Sequence, residues 1–220
     1  MQGFRRIRRG FTLVELMIVV AIIAVLAALA IYGVTRYLAS AKTSEAKNTL
    51  GSISRNAQEA FHKEQSGSEL VPDGASGVQL SYDLCATSSQ SIAAIPAGRK
   101  AQPDPATFKV TGAGNSRTVG WQCLKFEMHD PTYYRYGYVA SRINPTLPAG
   151  ESVGGATGVS TVPAKLTPVL AMPTTGFYAV AEGDVDDDGQ TSAMGIAGEV
   201  NPANRTLKTG TQVTAVDENE

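Results

Sequence analysis

A chain of 220 residues with 43% apolar side chains is long enough for one sizeable domain plus an appendage. Arg5, Arg6, Arg8 and Arg9 precede the first acid, and without them 15 basic residues face 20 acidic ones. A mildly acidic body lacks the electrostatic footprint of a nucleic-acid binder, and two cysteines without a CxxC neighbour exclude the usual zinc arrangements.

The first element begins at "RRGFTLVELMIVVAIIAVLAALAIY", Arg8 to Tyr32. Leu16 to Thr35 carries no charge, and a helix of that length spans about 30 Å, one bilayer core. Arg36 ends the run, and the arginines ahead of it place the N-terminus in the cytoplasm and the bulk of the chain outside. A signal anchor and a cleaved secretory peptide are the ordinary readings. Ala27-Ala28-Leu29-Ala30 resembles a cleavage site, although the run is long for a signal peptide.

Neither reading accounts for Glu15. A carboxylate in hydrocarbon costs roughly 2.5–3.5 kcal/mol at the bilayer centre and less near the interface, so it calls for a partner. Cleavage between Gly10 and Phe11 would create an ammonium group on Phe11, one helical turn before Glu15. Glu15 can then pair with its own N-terminus or with that of a neighbour. In the second case each subunit carries a plug and a socket, and such head-to-tail contacts build helical filaments.

These residues closely resemble the prepilin signature of type IV pilins. The match covers the basic leader, Gly10, Phe11, Thr12, Leu13, Glu15, Leu16 and the alanine-rich run behind them. The short leader and the Phe at the new N-terminus resemble the type IVa branch. The resemblance implies that a prepilin peptidase cuts after Gly10 and methylates Phe11. It implies that Glu15 recruits the incoming subunit by pairing with a neighbour's Phe11 amine. The apolar helix would serve first as membrane anchor and then as fibre core. Many relatives carry a proline at the position of Tyr32; here Gly33 is the only local breaker. Glycine weakens a helix by about 1 kcal/mol against about 3 for proline, so a weaker tendency to unwind on assembly is expected.

From Arg36 to Gln65 there is no proline and one glycine, Gly51. Ala46, Leu50, Ile53, Ala57, Ala60 and Phe61 recur at three- and four-residue spacings and make one helical stripe. Lys47, Ser52, Arg55, Glu59 and Lys63 form the opposite face, with Glu59 and Lys63 as an i,i+4 pair. Ser66-Gly67-Ser68 reads as the stop. The prediction is one helix from Phe11 to about Gln65, roughly 80 Å long.

Residues 66–220 read as a head of strands and Gly/Pro-rich loops such as "LPAGESVGGATGVSTVPAK". Strand candidates are Thr107–Val110, Gly120–Phe126, the Tyr134, Tyr136, Tyr138, Ala140 alternation, Gly176–Ala181 and Thr191–Ile196. The expected class is α+β, with the helix stripe packed on an antiparallel sheet. The expected layout is a leader at 1–10, an apolar helix half at 11–35, an amphipathic half at 36–65 and the head at 66–220. Cys85 and Cys123, two distant cysteines in an exported chain, predict one disulfide. Family pilins often carry theirs in the C-terminal part of the head, so its placement here departs from that pattern.

"GDVDDDGQ" places Asp184, Asp186 and Asp188 at alternate positions before Gly189, like the first half of a calcium loop. The twelfth position falls on Gly195 and not on glutamate, so this is not an EF-hand. Calcium is one reading and a solvated hairpin turn the other. His62 and His129 have no acid and nucleophile at motif spacing, and an enzyme reading has no support. The terminal "AVDENE" reads as a solvated tail. The expected function is a major type IV pilin, a homo-oligomeric filament subunit for surface motility and adhesion. It would need no cofactor. Its partners would be the prepilin peptidase, the pilus assembly machinery and, before assembly, the inner membrane. The alternatives are a minor pilin or secretion pseudopilin, and a monomeric membrane-tethered binding protein.

Overall fold

The computed structural model describes residues 10–62, 84–109, 120–141, 162–170, 175–201 and 203–218. The leader arginines, Lys63 and the Ser66-Gly67-Ser68 stop lie outside them. The described chain divides into two compact units, residues 1–41 and 42–220.

Helix α1 spans Leu13–His62. The part in the first unit is largely apolar, with Glu15 and Arg36 as its charged residues, and is exposed from Leu13 to Leu38; the helix continues through Gly33 without a break. In the second unit the predicted stripe is the buried face: Ala46, Leu50, Ile53, Ala57, Ala60 and Phe61, joined by the small polar residues Thr43 and Ser54. Arg55 and Glu59 point to solvent.

The stripe packs on a five-stranded antiparallel sheet: β1 Arg135–Ser141, β2 Gly176–Gly183, β3 Ser192–Asn201, β4 Thr206–Thr209 and β5 Thr214–Val216. The order is β1-β2-β3-β4, and β5 pairs with β3 beside β4. Register places Tyr136 opposite Ala181 and Tyr138 opposite Ala179. Ala181 in turn lies opposite Met194, and Ala179 opposite Ile196. These side chains share the face that meets α1. Alternation of the tyrosines is therefore the pleat itself: Tyr134, Tyr136 and Tyr138 are fully buried. Tyr138 stacks on Phe177 at 5.5 Å between centroids. The Phe177 ring lies where a side chain at position 198 would sit: a Cβ there would fall 2.3 Å from Phe177 Cε1, so only glycine fits.

The sheet is covered on its other face too. Tyr178, Val180 and Ala193 pack against Leu166 and Leu170, from a segment that the sequence presents as plain linker. Burial on both faces explains why β2, "GFYAVAEG", is nearly continuously apolar. Tyr133, just ahead of β1, takes a different role from the other tyrosines. Lys42 Nζ lies 4.7 Å and Lys100 Nζ 5.0 Å from its ring centroid, and Lys100 also pairs with Glu45 at 2.9 Å.

Three expectations are corrected. Thr107–Val110 is not a strand: Pro105–Phe108 forms a 3-10 turn, with Asp104 as N-cap accepting from the Ala106 amide at 2.9 Å. Asp followed by Pro is a helix-start signal, and it outweighs the short apolar run. Gly120–Phe126 is not a strand either; Gly120–Leu124 forms a short helix, α2, that turns Trp121, Cys123 and Leu124 into the core. "AVDENE" is not a free tail. Thr214–Val216 is β5, Asp217 pairs with Lys165 at 2.9 Å, and Glu218 pairs with Lys47 on α1. The predicted disulfide joins Cys85 to Cys123. It closes a loop of about 39 residues, for which chain entropy gives about 4 kcal/mol.

Desolvation raises the phenols of Tyr136 and Tyr178 to about 12. The fold thus favours their neutral forms, and this contribution is intact below the unfolded value of about 10. It is lost as pH climbs from about 10 toward 12, where the unfolded chain ionises first. Thermal melts across that range should show a falling melting temperature. Tyr136→Phe should flatten the fall, and an unchanged slope in that variant would contradict the assignment.

Candidate assembly and processing site

Gly10, Phe11, Thr12 and Glu15 meet at the start of α1. Thr12 is the N-cap: its carbonyl accepts from the Leu16 amide at 3.3 Å, one turn on. Its amide and hydroxyl donate to Glu15 Oε2 at 2.9 and 2.8 Å. The Glu15 amide donates back to Thr12 Oγ1 at 3.2 Å. This reciprocal arrangement is a capping box, and its signature, Thr-x-x-Glu, is present in "TLVE". In the sequence this signal is masked by the apolar run around it, where the cost of an acid in lipid is the more conspicuous feature. Within the subunit, then, the partner of Glu15 is Thr12. The cap also explains why α1 begins at Leu13 and not at Phe11.

Phe11 is 81% exposed, and nothing lies within 4 Å of a Cβ built on Gly10. Behind them the side chains from Leu13 to Leu38 stand in solvent on all sides of the helix. Such a surface suits lipid or other copies of itself, since monomeric soluble proteins rarely leave so large an apolar area in water.

The acidic hairpin joins β2 to β3. Asp184 is buried, and both its oxygens accept from backbone: Oδ1 from the Asp187 amide at 2.8 Å, Oδ2 from the Gly189 amide at 3.1 Å. Asp188 Oδ1 accepts from the Gln190 amide at 2.7 Å. Asp186 and Asp188 are exposed, and the three residues bring carboxylate oxygens within 4.8 Å of one another. Oxygens that close can share one calcium, which takes six to eight oxygen ligands, so the carboxylates alone make an incomplete set. The hydrogen bonds already close the loop. His62 and His129 are both exposed, and His129 Nε2 lies 3.5 Å from Glu127 Oε1.

An exposed apolar helix that starts on a capped acid and continues into a sheet-bound stripe defines a class: helix-anchored surface subunits. Comparison with known proteins narrows it. Residues 5–31 match the prokaryotic N-terminal methylation motif. Over 191 residues, 86% of this chain and 80% of the relative, it is 30% identical to the type IV major pilin protein PilA of Myxococcus xanthus (strain DK1622). Over 47 residues, 21% of this chain and 31% of the relative, it is 49% identical to the fimbrial protein EcpC of Eikenella corrodens. No solved structure matches at a comparable level of significance. The chain belongs to the type IV pilin family. It is a structural protein and not an enzyme, and the motif and exposed helix fit a membrane-anchored precursor and a filament subunit.

Asp184→Ala would leave two backbone amides of the hairpin without an acceptor and should cost about 1–3 kcal/mol. Asp184→Asn keeps one carbonyl acceptor and should cost less. Denaturant melts of both variants check the order; equal stability to the parent would show that Asp184 does not hold the loop.

Proposed function

We propose that this chain is a major pilin: cut after Gly10, methylated on Phe11, and polymerised through α1 into a retractable surface fibre for motility and adhesion. The observation behind this reading is Glu15 at the head of a helix whose residues from Leu13 to Leu38 are uncovered on every side. Likeness to a major pilin over 86% of the chain supports it. In the unassembled subunit Thr12 satisfies the acid. On assembly the Phe11 ammonium of a neighbour, freed by cleavage, is the stronger partner because the contact is between opposite charges. The leader, residues 1–10, stays behind. The prepilin peptidase and the pilus assembly machinery act on the precursor in the inner membrane.

Nothing in this role calls for a cofactor. Calcium at Asp184, Asp186 and Asp188 rests on the proximity of their oxygens. Calorimetric titration of the purified chain with calcium tests it, and the absence of heat at millimolar calcium would leave a purely hydrogen-bonded turn. A minor pilin or pseudopilin would share every feature above and differ in abundance on the cell surface. A tethered monomeric binding protein would remain uncut.

Glu15→Ala should leave the protein inserted in the membrane and absent from sheared surface fibres. Abundant fibres from that variant would refute the pairing. Gly10→Leu should accumulate uncut precursor. A side chain at position 10 meets nothing in the fold, so this effect would report on the peptidase and not on stability. The intact mass of sheared protein reads both steps, as a chain starting at Phe11 with one added methyl group.

A further inference from the structure

We propose that the Cys85–Cys123 disulfide locks a strip of hydroxyl side chains, Thr87 to Ser91, over the open edge of β1, and that reduction frees this edge to pair with the same edge of a second copy. Strand β1 pairs with β2 along its whole length, which leaves the outward amides and carbonyls of Tyr136, Tyr138 and Ala140 without a strand. The sequence "TSSQS" covers all six. The Tyr136 amide donates to Ser91 Oγ at 2.7 Å, and the Ser91 amide donates to the Tyr136 carbonyl at 2.9 Å. The Tyr138 amide donates to Ser88 Oγ at 3.0 Å, and the Ser88 amide donates to the Tyr138 carbonyl at 2.9 Å. The Ala140 amide donates to Thr87 Oγ1 at 3.0 Å, and that hydroxyl donates to the Ala140 carbonyl at 3.4 Å.

Hydroxyl oxygens thus replace strand carbonyls, and the strip is a counterfeit neighbour that offers no further edge. Ser88 and Ser91 are fully buried and Ser89 nearly so. Side-chain hydroxyls are an unusual partner for a strand, because a true strand would supply both donor and acceptor from its backbone. The strip is also tied on its outer side, where Ser89 Oγ donates to the Thr107 carbonyl at 3.0 Å, and its covalent tie lies just ahead of it. Cys85, two residues before Thr87, supplies that tie by its bond to Cys123 in α2. The start of α2 also abuts the strip, as a Cβ on Gly120 would lie 3.6 Å from Ser88 Cα.

Reduction by a dithiol transfers two electrons and two protons: the sulfur–sulfur bond breaks, two thiols form, and the reductant closes into its own disulfide. With the anchor gone, β1 exposes a row of groups centred on Tyr138. That row is self-complementary about a two-fold axis, pairing Tyr138 with Tyr138 and Tyr136 with Ala140. Exposed edges of this kind are the usual route to strand-mediated association.

Hydrogen exchange read residue by residue on the full chain in detergent micelles, oxidised and then with dithiothreitol, tests this. At low concentration the Tyr136, Tyr138 and Ala140 amides should exchange roughly tenfold faster or more after reduction. The Gly137 and Val139 amides, which face β2, should keep their rates. At higher concentration the edge amides should regain protection as a dimer appears in light scattering. Ser88→Ala combined with Ser91→Ala, disulfide intact, should speed exchange at Tyr136 and Tyr138 without dimerisation. Edge amides that keep their oxidised rates after reduction would overturn the lock. So would edge amides that change only together with Gly137 and Val139, since the disulfide would then support the whole sheet. A reduced chain with open edge amides that stays monomeric at every concentration would overturn the pairing.

Discussion

The contact between the small-residue stripe of α1 and the tyrosine face of the sheet is the constraint from which the head follows. The stripe mixes small Ala46, Ala57 and Ala60 with large Leu50, Ile53 and Phe61, all in one buried cluster with the sheet. Opposite them Tyr136 and Tyr138 face Ala181 and Ala179 across the β1–β2 register, so bulky and small residues are paired in the sheet as well. A helix cannot present one such stripe, nor a sheet one such face, unless both periods are kept without slippage. That explains why the register is undisturbed through β1, β2 and β3.

The same helix obeys two solvent rules along its length. Its first-unit residues carry a surface suited to hydrocarbon or to identical neighbours, and its last turns carry an amphipathic one. The acid at its beginning reconciles charge with the apolar setting through the helix itself. Thr12 supplies donors from its backbone and hydroxyl, so Glu15 is not a bare carboxylate. An acid held in this way is available to a stronger donor without being intolerable in its absence.

Much of this was legible in the sequence, for a physical reason in each case. The stripe of α1 was visible because helical periodicity survives over many residues. Strands β1, β2 and β3 were visible because alternation and apolar runs exceeded the local noise. The short elements were missed where a local signal competed with a tertiary one. "DPATF" holds a capping signal beside a strand-like triplet, and "GWQCL" is helical because Trp121, Cys123 and Leu124 must all reach the core. "AVDENE" was misread because its composition is that of a solvated tail, while its pairing to β3, Lys165 and Lys47 depends on residues far away in the chain. At the start of α1 the acid stands out against its apolar neighbours, while the cap that holds it is hidden in an ordinary threonine three residues earlier.

Strands β4 and β5 lie end to end along one side of β3, and β5 reaches the Ala193–Gly195 part that β4 leaves uncovered. Strand β3, paired with β2 on one side, therefore lacks a complete neighbour on its other side until residue 216 has been delivered. A chain produced or threaded from its N-terminus has its helix available from the outset, but its sheet must wait for β5, more than 150 residues after the helix. Maturation of the head is consequently a late event with high contact order, and the interval before it is the period in which a partner that shields unpaired strands would matter most.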